Sequence, residues 1–196
     1  MKIHNDLDKW GNNRVEPDMI AQDIMNFSTK LVLNKPNNRG GVFKTGLFTI
    51  DNHVYCGSKM GATPDGRKAT APLSKNMSSV IAMDRQGVTA LIGSAAKIDY
   101  TQFPDGSVLD IMLHPSAVQG KDGLNAMLDL IKTFYKGGGF SLQYNILDVE
   151  TLKKAQENPE EYANLQVRVC GWNAYFIDLS KTLQNEFILQ AENVES

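Results

Sequence analysis

Val167-Arg168-Val169-Cys170-Gly171-Trp172-Asn173-Ala174-Tyr175-Phe176 sets one glycine between an apolar segment carrying an arginine and an aromatic one. Residues 166–169 and 174–177 both read as strands, because valine and aromatic side chains suit a half-buried pleated surface. On local grounds Gly171 is then a bulge or bend between two strands, and it needs no chemistry to explain it. Whether that reading suffices depends on what surrounds it.

Working outward, residues 179–190 predict a terminal helix capped by Ser180 or Asp178. Residues 149–156 predict a short helix with Asp148 as its N-cap, and 140–147 a strand. Apolar residues at 124, 127, 128, 131 and 134–135 mark an amphipathic helix stopped by Gly137-Gly138-Gly139. Residues 108–113 and 88–98 read as strands, and 57–77 as a long irregular segment of the kind that is usually functional or disordered. Residues 42–55 read as extended, with Phe43, Leu47, Phe48, Ile50 and Val54 as apolar content. Turn residues at 34–41 end a helix over 17–33, where Met19, Ile20, Ile24, Phe27 and Leu31 share a face and Pro17 sits in the first turn. Mixed strands and helices, with parallel-type spacing in the second half, predict an α/β arrangement.

Composition excludes several classes. A chain of 196 residues with 42% hydrophobic and 21% charged content is ordinary for a globular protein able to bury a core. The formal charge of −2 lacks the basic excess of a nucleic-acid binder. No run approaches a membrane span and no leader is apparent, so a cytoplasmic location is expected. Cys56 and Cys170 form neither a disulfide framework nor a C-x-x-C site, and His4, His53 and His114 are too scattered for a metal centre. Gly137-Gly138-Gly139 follows a helix and precedes a strand, the reverse of a dinucleotide fingerprint, and no phosphate-loop motif occurs. Gly61-Ala62-Thr63-Pro64-Asp65-Gly66-Arg67 reads as a tight Pro-Asp-Gly turn, with an anion-cradling loop around Arg67 as the alternative. Asp105, Asp110, Glu160 and Glu161 are expected to be solvated rather than catalytic.

The order of short motifs is more specific than any one of them. Lys9-Trp10-Gly11-Asn12-Asn13 is followed by His53-Val54-Tyr55, then Gly61–Arg67, then Gly87-Val88-Thr89-Ala90 with Ser94-Ala95-Ala96-Lys97. Gly138-Gly139 with Gln143-Tyr144-Asn145, then Ala155–Tyr162, then Arg168-Val169-Cys170-Gly171-Trp172 complete the series. In this order and spacing the chain resembles the glycyl radical enzymes of the pyruvate formate-lyase-like family, whose glycine loop reads R-V-x-G-Y.

The resemblance implies the C-terminal part of a ten-stranded α/β barrel, with residues 1–65 ending the pyruvate formate-lyase-like domain and 66–196 forming the glycine radical domain. It implies that Gly171 carries a backbone radical, supported by Arg168, Val169, Cys170, Trp172 and Tyr175. A Cα radical delocalises into its flanking amides only when planar, and a side chain there would meet a neighbouring carbonyl, so glycine is the residue that tolerates it. The flanking apolar residues are expected to hold the loop and exclude water and oxygen, with Cys170 as a small buried spacer. The resemblance further implies no bound cofactor or metal. A radical-SAM activating enzyme with an iron–sulfur cluster removes a hydrogen from the glycine, which then generates a thiyl radical on a cysteine of a G-C-x-E motif. Neither Cys56 nor Cys170 matches that motif, so the cysteine is expected outside this chain, on a missing N-terminal portion or a partner enzyme. The complete enzyme is expected to be a homodimeric lyase or acyltransferase of anaerobic metabolism. Ala174-Tyr175-Phe176 is closer to the dehydratase, choline lyase and decarboxylase branches than to the formate acetyltransferase branch. The alternatives are an autonomous spare radical domain that docks onto a damaged enzyme, or a non-catalytic α/β module binding an anion.

Overall fold

The structure, a computed structural model, describes residues 7–195; His4 lies outside them. Two short sheets organise the molecule. Strands β1 (Val108–Leu113) and β2 (Ser141–Ile146) pair in parallel, with Val108 opposite Ser141 and Leu113 opposite Ile146. Parallel neighbours need a long crossover, and here helix α4 (Gly120–Lys136) supplies it. The second sheet is an antiparallel hairpin of β3 (Gln166–Val169) and β4 (Trp172–Tyr175). The architecture is α/β, and neither sheet closes on itself.

Period-two alternation divides the faces of the parallel pair. Leu109 and Ile111, with Leu142 and Tyr144 packed against them, join a core containing Leu91, Ile92, Ala95, Ile98, Tyr100 and Phe134. The opposite face carries Asp110 and Met112 on β1 and Gln143 and Asn145 on β2. That face looks toward a second core built from Met112, Val167, Val169, Phe176 and Phe187 together with helices α5 (Val149–Glu157) and α6 (Lys181–Glu195). The glycine stop after α4 also has a packing reason, since a Cβ on Gly139 would sit 2.3 Å from the Phe134 ring.

The expected caps form. The Asp148 side chain accepts the Thr151 N–H at 2.7 Å, and the Ser180 hydroxyl accepts that of Leu183 at 3.3 Å. α6 holds the hairpin base, where Gln184 Nε2 donates to the Phe176 carbonyl at 3.0 Å and the Phe176 and Phe187 rings meet edge to face at 6.5 Å. The Lys9–Asn13 segment is a staple. Trp10 Nε1 donates to the Met77 carbonyl, Asn12 Nδ2 to Met83, and the Asn13 N–H to Ser94 Oγ.

Three expectations are corrected. Residues 88–98 are not a strand: Gly87–Ala95 is helix α3, which buries Leu91, Ile92, Ser94 and Ala95 against the core. Val88, Thr89 and Ile92 suggested a strand, but tertiary burial overrides such propensities. Residues 42–55 are not one extended element. Their ladder bonds reduce to the isolated bridges Pro36–Val42 and Leu47–Ser107. Ile50 then takes a positive φ of 55° and breaks the run, and Asn52–Ser58 is helix α2. The second strand of the hairpin begins at Trp172 rather than Ala174, and 176–178 form a 3-10 turn.

Helix α1 (Val15–Val32) forms over the expected residues but orients unexpectedly. Asp18, Met25 and Thr29 share the face that meets the rest of the chain, with Asp18 paired to Lys97 at 2.6 Å. Ile20, Ile24, Phe27 and Leu31 lie on the opposite face of the 3.6-residue wheel and are exposed.

Candidate functional site

Between β3 and β4 the chain turns in two residues, Cys170 and Gly171, with Val169 paired to Trp172 across the mouth. Both take positive φ, 36° at Cys170 and 102° at Gly171, as primed hairpin turns require. The bend expected at Gly171 is therefore a hairpin turn. Open space surrounds the position a Gly171 Cβ would occupy, with nothing within 4 Å. Backbone conformation rather than crowding demands glycine here, because a φ of 102° lies beyond even the left-handed helical region open to other residues.

Two amide side chains of β2 grip this turn. Gln143 Oε1 accepts the Gly171 N–H at 3.0 Å. Asn145 accepts the Arg168 N–H at 2.7 Å and donates to the Arg168 carbonyl at 3.1 Å, extending the sheet's hydrogen bonding through a side chain. Both residues are buried, and their i, i+2 spacing puts them on the same face of β2. The sequence motif 143–145 was visible, but its partners lie 28 and 23 residues away and leave no local trace.

Cys170 is fixed from the other side. Its thiol lies 2.9 Å from Asn76 Oδ1 and donates to it, and the same oxygen accepts the Thr49 N–H at 2.8 Å. Asn76 Nδ2 donates to Asp110 Oδ2. Asp110 corrects the expectation of a solvated carboxylate. Its Oδ1 is sealed from water with no hydrogen-bond donor, and burial pushes its pKa above the usual carboxylate value, against the opposing pull of Lys75 and Asn76. Asn76 and Asp110 gave no sequence signal, because single polar residues in a loop and a strand reveal nothing of what they will meet.

The other expected site residues divide. Val167 and Val169 are buried and lock the hairpin to the core, and Cys170 is a buried spacer. Arg168 Nη1 reaches Asn173 Oδ1 across the hairpin at 3.1 Å. Trp172 and Tyr175 are 43% and 44% exposed, and Gly171 itself is exposed, so the described residues do not shield the glycine from water. Solvent is excluded at the hairpin's base, where Val167, Val169 and Phe176 are buried, while at its tip the described residues place nothing within 4 Å of the position a Gly171 Cβ would take. Arg67 closes its own loop: its guanidinium donates to the carbonyls of Ala71 and Gly61, the Gly66 N–H bonds to the Thr63 carbonyl, and Nε is left buried without a partner. Among the described residues no cluster of three metal-ligating side chains occurs, and no helix is long and apolar enough to cross a membrane.

The site is thus a glycine hairpin anchored on a parallel strand pair, and comparison with known proteins gives it a family. The glycine radical family matches residues 73–177, and the pyruvate formate lyase-like family matches residues 1–57. The chain belongs to the glycine radical family. It is 36% identical over 190 residues to trans-4-hydroxy-L-proline dehydratase of Clostridioides difficile, covering 97% of this chain and 24% of that protein. It is 34% identical to the glycyl radical subunit of 4-hydroxyphenylacetate decarboxylase of the same organism, covering 95% and 21% respectively. The glycerol-bound B12-independent glycerol dehydratase of Clostridium butyricum superposes with a TM-score of 0.91 at 38% identity, over 96% of this chain and 24% of that one. The fold is thus part of the pyruvate formate lyase-like architecture, and the chain spans 21–24% of the length of these relatives.

Proposed function

We propose that Gly171 stores a backbone radical for a glycyl radical enzyme of which this chain supplies the glycine-loop portion. The observation that carries the reading is the anchored turn: a glycine at φ 102° at the tip of a hairpin, its amide held by Gln143 and its neighbour by Asn76, inside the family match. In this reading a radical-SAM activating enzyme takes one hydrogen atom from the Gly171 Cα. The unpaired electron spreads into the flanking amides. Gly171 regains a hydrogen atom from the thiol of a cysteine outside this chain, leaving a thiyl radical that attacks the substrate. Arg168 and Val169 hold the hairpin, Cys170 fills the space beneath the turn, and Trp172 and Tyr175 are left to meet the covering surface of the complete enzyme.

The domain division belongs to the same proposal. Residues 1–65 end the barrel-type domain and 66–196 form the glycine radical domain, a boundary supported by one family match ending at residue 57 and the other beginning at residue 73. The chain alone performs no turnover, because it offers neither the thiyl cysteine nor a covered site. Assembly with the remainder of a homodimeric enzyme in the cytoplasm completes it, and the exposed stripe of α1 together with two free cysteines is consistent with that. The relatives support a dehydratase, decarboxylase or related lyase rather than an acyltransferase. Brief exposure of the activated chain to air provides a test. Backbone scission at Gly171, seen as two fragments by mass spectrometry and absent in Gly171→Ala, is the expected result; an intact wild-type chain after activation by a validated enzyme contradicts it.

A further inference from the structure

Among the groups around the turn, Gln143 is the one whose side chain touches the amide of the radical residue itself. It is 6% exposed, stands opposite Asp110 in the β1–β2 register, and its Oε1 accepts the Gly171 N–H at 3.0 Å. We propose that Gln143 is a positioning residue for the radical: it sets the plane of the Gly171 amide and strengthens that nitrogen as an electron donor to the adjacent Cα. The proposal rests on the radical reading of Gly171.

Accepting a hydrogen bond from an N–H shifts electron density onto the nitrogen, and a buried acceptor such as Gln143, held away from bulk water, polarises it more than water does. A planar Cα radical is conjugated to the nitrogen only when its substituents lie in the plane of the preceding amide. With φ at 102° the Cα–C bond stands far out of that plane, so forming the radical requires rotation about the N–Cα bond. Gln143 and the Cys170–Asn76 contact hold the amide, so it is the Gly171 carbonyl side, leading into Trp172, that rotates toward the held plane. Asn145 has a separate task. It holds Arg168 and therefore the hairpin, not the glycine.

The test uses the full chain with Gln143→Leu, which keeps size and removes the acceptor, and Gln143→Glu, which keeps an acceptor. Before activation, amide exchange at Gly171 is expected to rise about tenfold in Gln143→Leu and to return toward wild type in Gln143→Glu, with the Arg168 amide unchanged in both. After anaerobic activation of 15N-labelled chain, the Gly171 nitrogen hyperfine coupling is expected to change and the signal to decay faster in Gln143→Leu, with recovery in Gln143→Glu. Exchange within twofold of wild type overturns the positioning, and identical nitrogen couplings in wild type and Gln143→Leu overturn the electronic role. A wild-type chain that takes up no radical sinks the radical reading and the electronic role with it, while the exchange measurement still decides the positioning.

Discussion

The β3–β4 hairpin and helix α1 make opposite use of their residues. At the hairpin, small and polar side chains are spent on fixing a short backbone segment: Gln143, Asn145 and Asn76 hold Gly171, Arg168 and Cys170, and Phe176 is fully buried at the base. At α1 the polar Asp18 and Thr29 face inward while Ile20, Ile24, Phe27 and Leu31 face out. The hairpin is complete within this chain, apart from cover over its tip. α1 carries a surface whose apolar area has no counterpart among the described residues. Local order at the site is therefore built in, while the described residues leave its tip and the outer face of α1 exposed.

Substitutions on the two sides should separate sharply. Phe176→Ala should have the largest effect, about 3–5 kcal/mol in chemical denaturation, because a fully buried ring that packs against Phe187 leaves a cavity. Asn145→Ala should cost ~1–3 kcal/mol, since the Arg168 amide and carbonyl both lose their partner, and should accelerate amide exchange through the turn. Replacing Ile24 or Phe27 by Ser on the bare face of α1 should change the stability of the isolated chain by less than ~0.5 kcal/mol, while weakening any association with the proposed remainder of the enzyme in a pull-down. A large stability loss from those α1 substitutions would break the contrast.

Asp110 sharpens the contrast through pH. Its folded-state pKa is raised from the ordinary 3.8 by burial, so folding favours its protonated form. The group's contribution to stability is fully present below 3.8 and is lost as pH rises through the raised folded value. Asp110→Asn should remove this dependence. Relative to that variant, wild type should lose stability as the medium goes from acid toward neutral, and parallel denaturation midpoints across that range would contradict the assignment.

Much of the fold was legible because amphipathic periods and caps survive in one sequence. β1, β2, α4, α5 and α6 follow their apolar patterns, Asp148 and Ser180 cap as their chemistry suggests, and the parallel pairing follows from the helix between the strands. Helix α3 was hidden because Val88, Thr89 and Ile92 favour strands in isolation, and its helical form depends on burial against the core. The hairpin was hidden because Cys-Gly lacks the Asn-Gly signature of a two-residue turn, and Cys170 holds its positive φ with the help of Asn76, 94 residues away. Gly171 stood out by its motif. Gln143 and Asn145 were visible as a motif but not as its holders, since they, Asn76 and Asp110 acquire their roles only when the two sheets are brought together.

Electron paramagnetic resonance of the chain after anaerobic incubation with a radical-SAM activating enzyme, a reductant and S-adenosylmethionine tests the central claim most directly. The account predicts a doublet, split by the hydrogen remaining on the Gly171 Cα, that disappears in Gly171→Ala. A doublet that persists in Gly171→Ala, or no signal from a wild-type chain under conditions that activate a control member of the family, would contradict it.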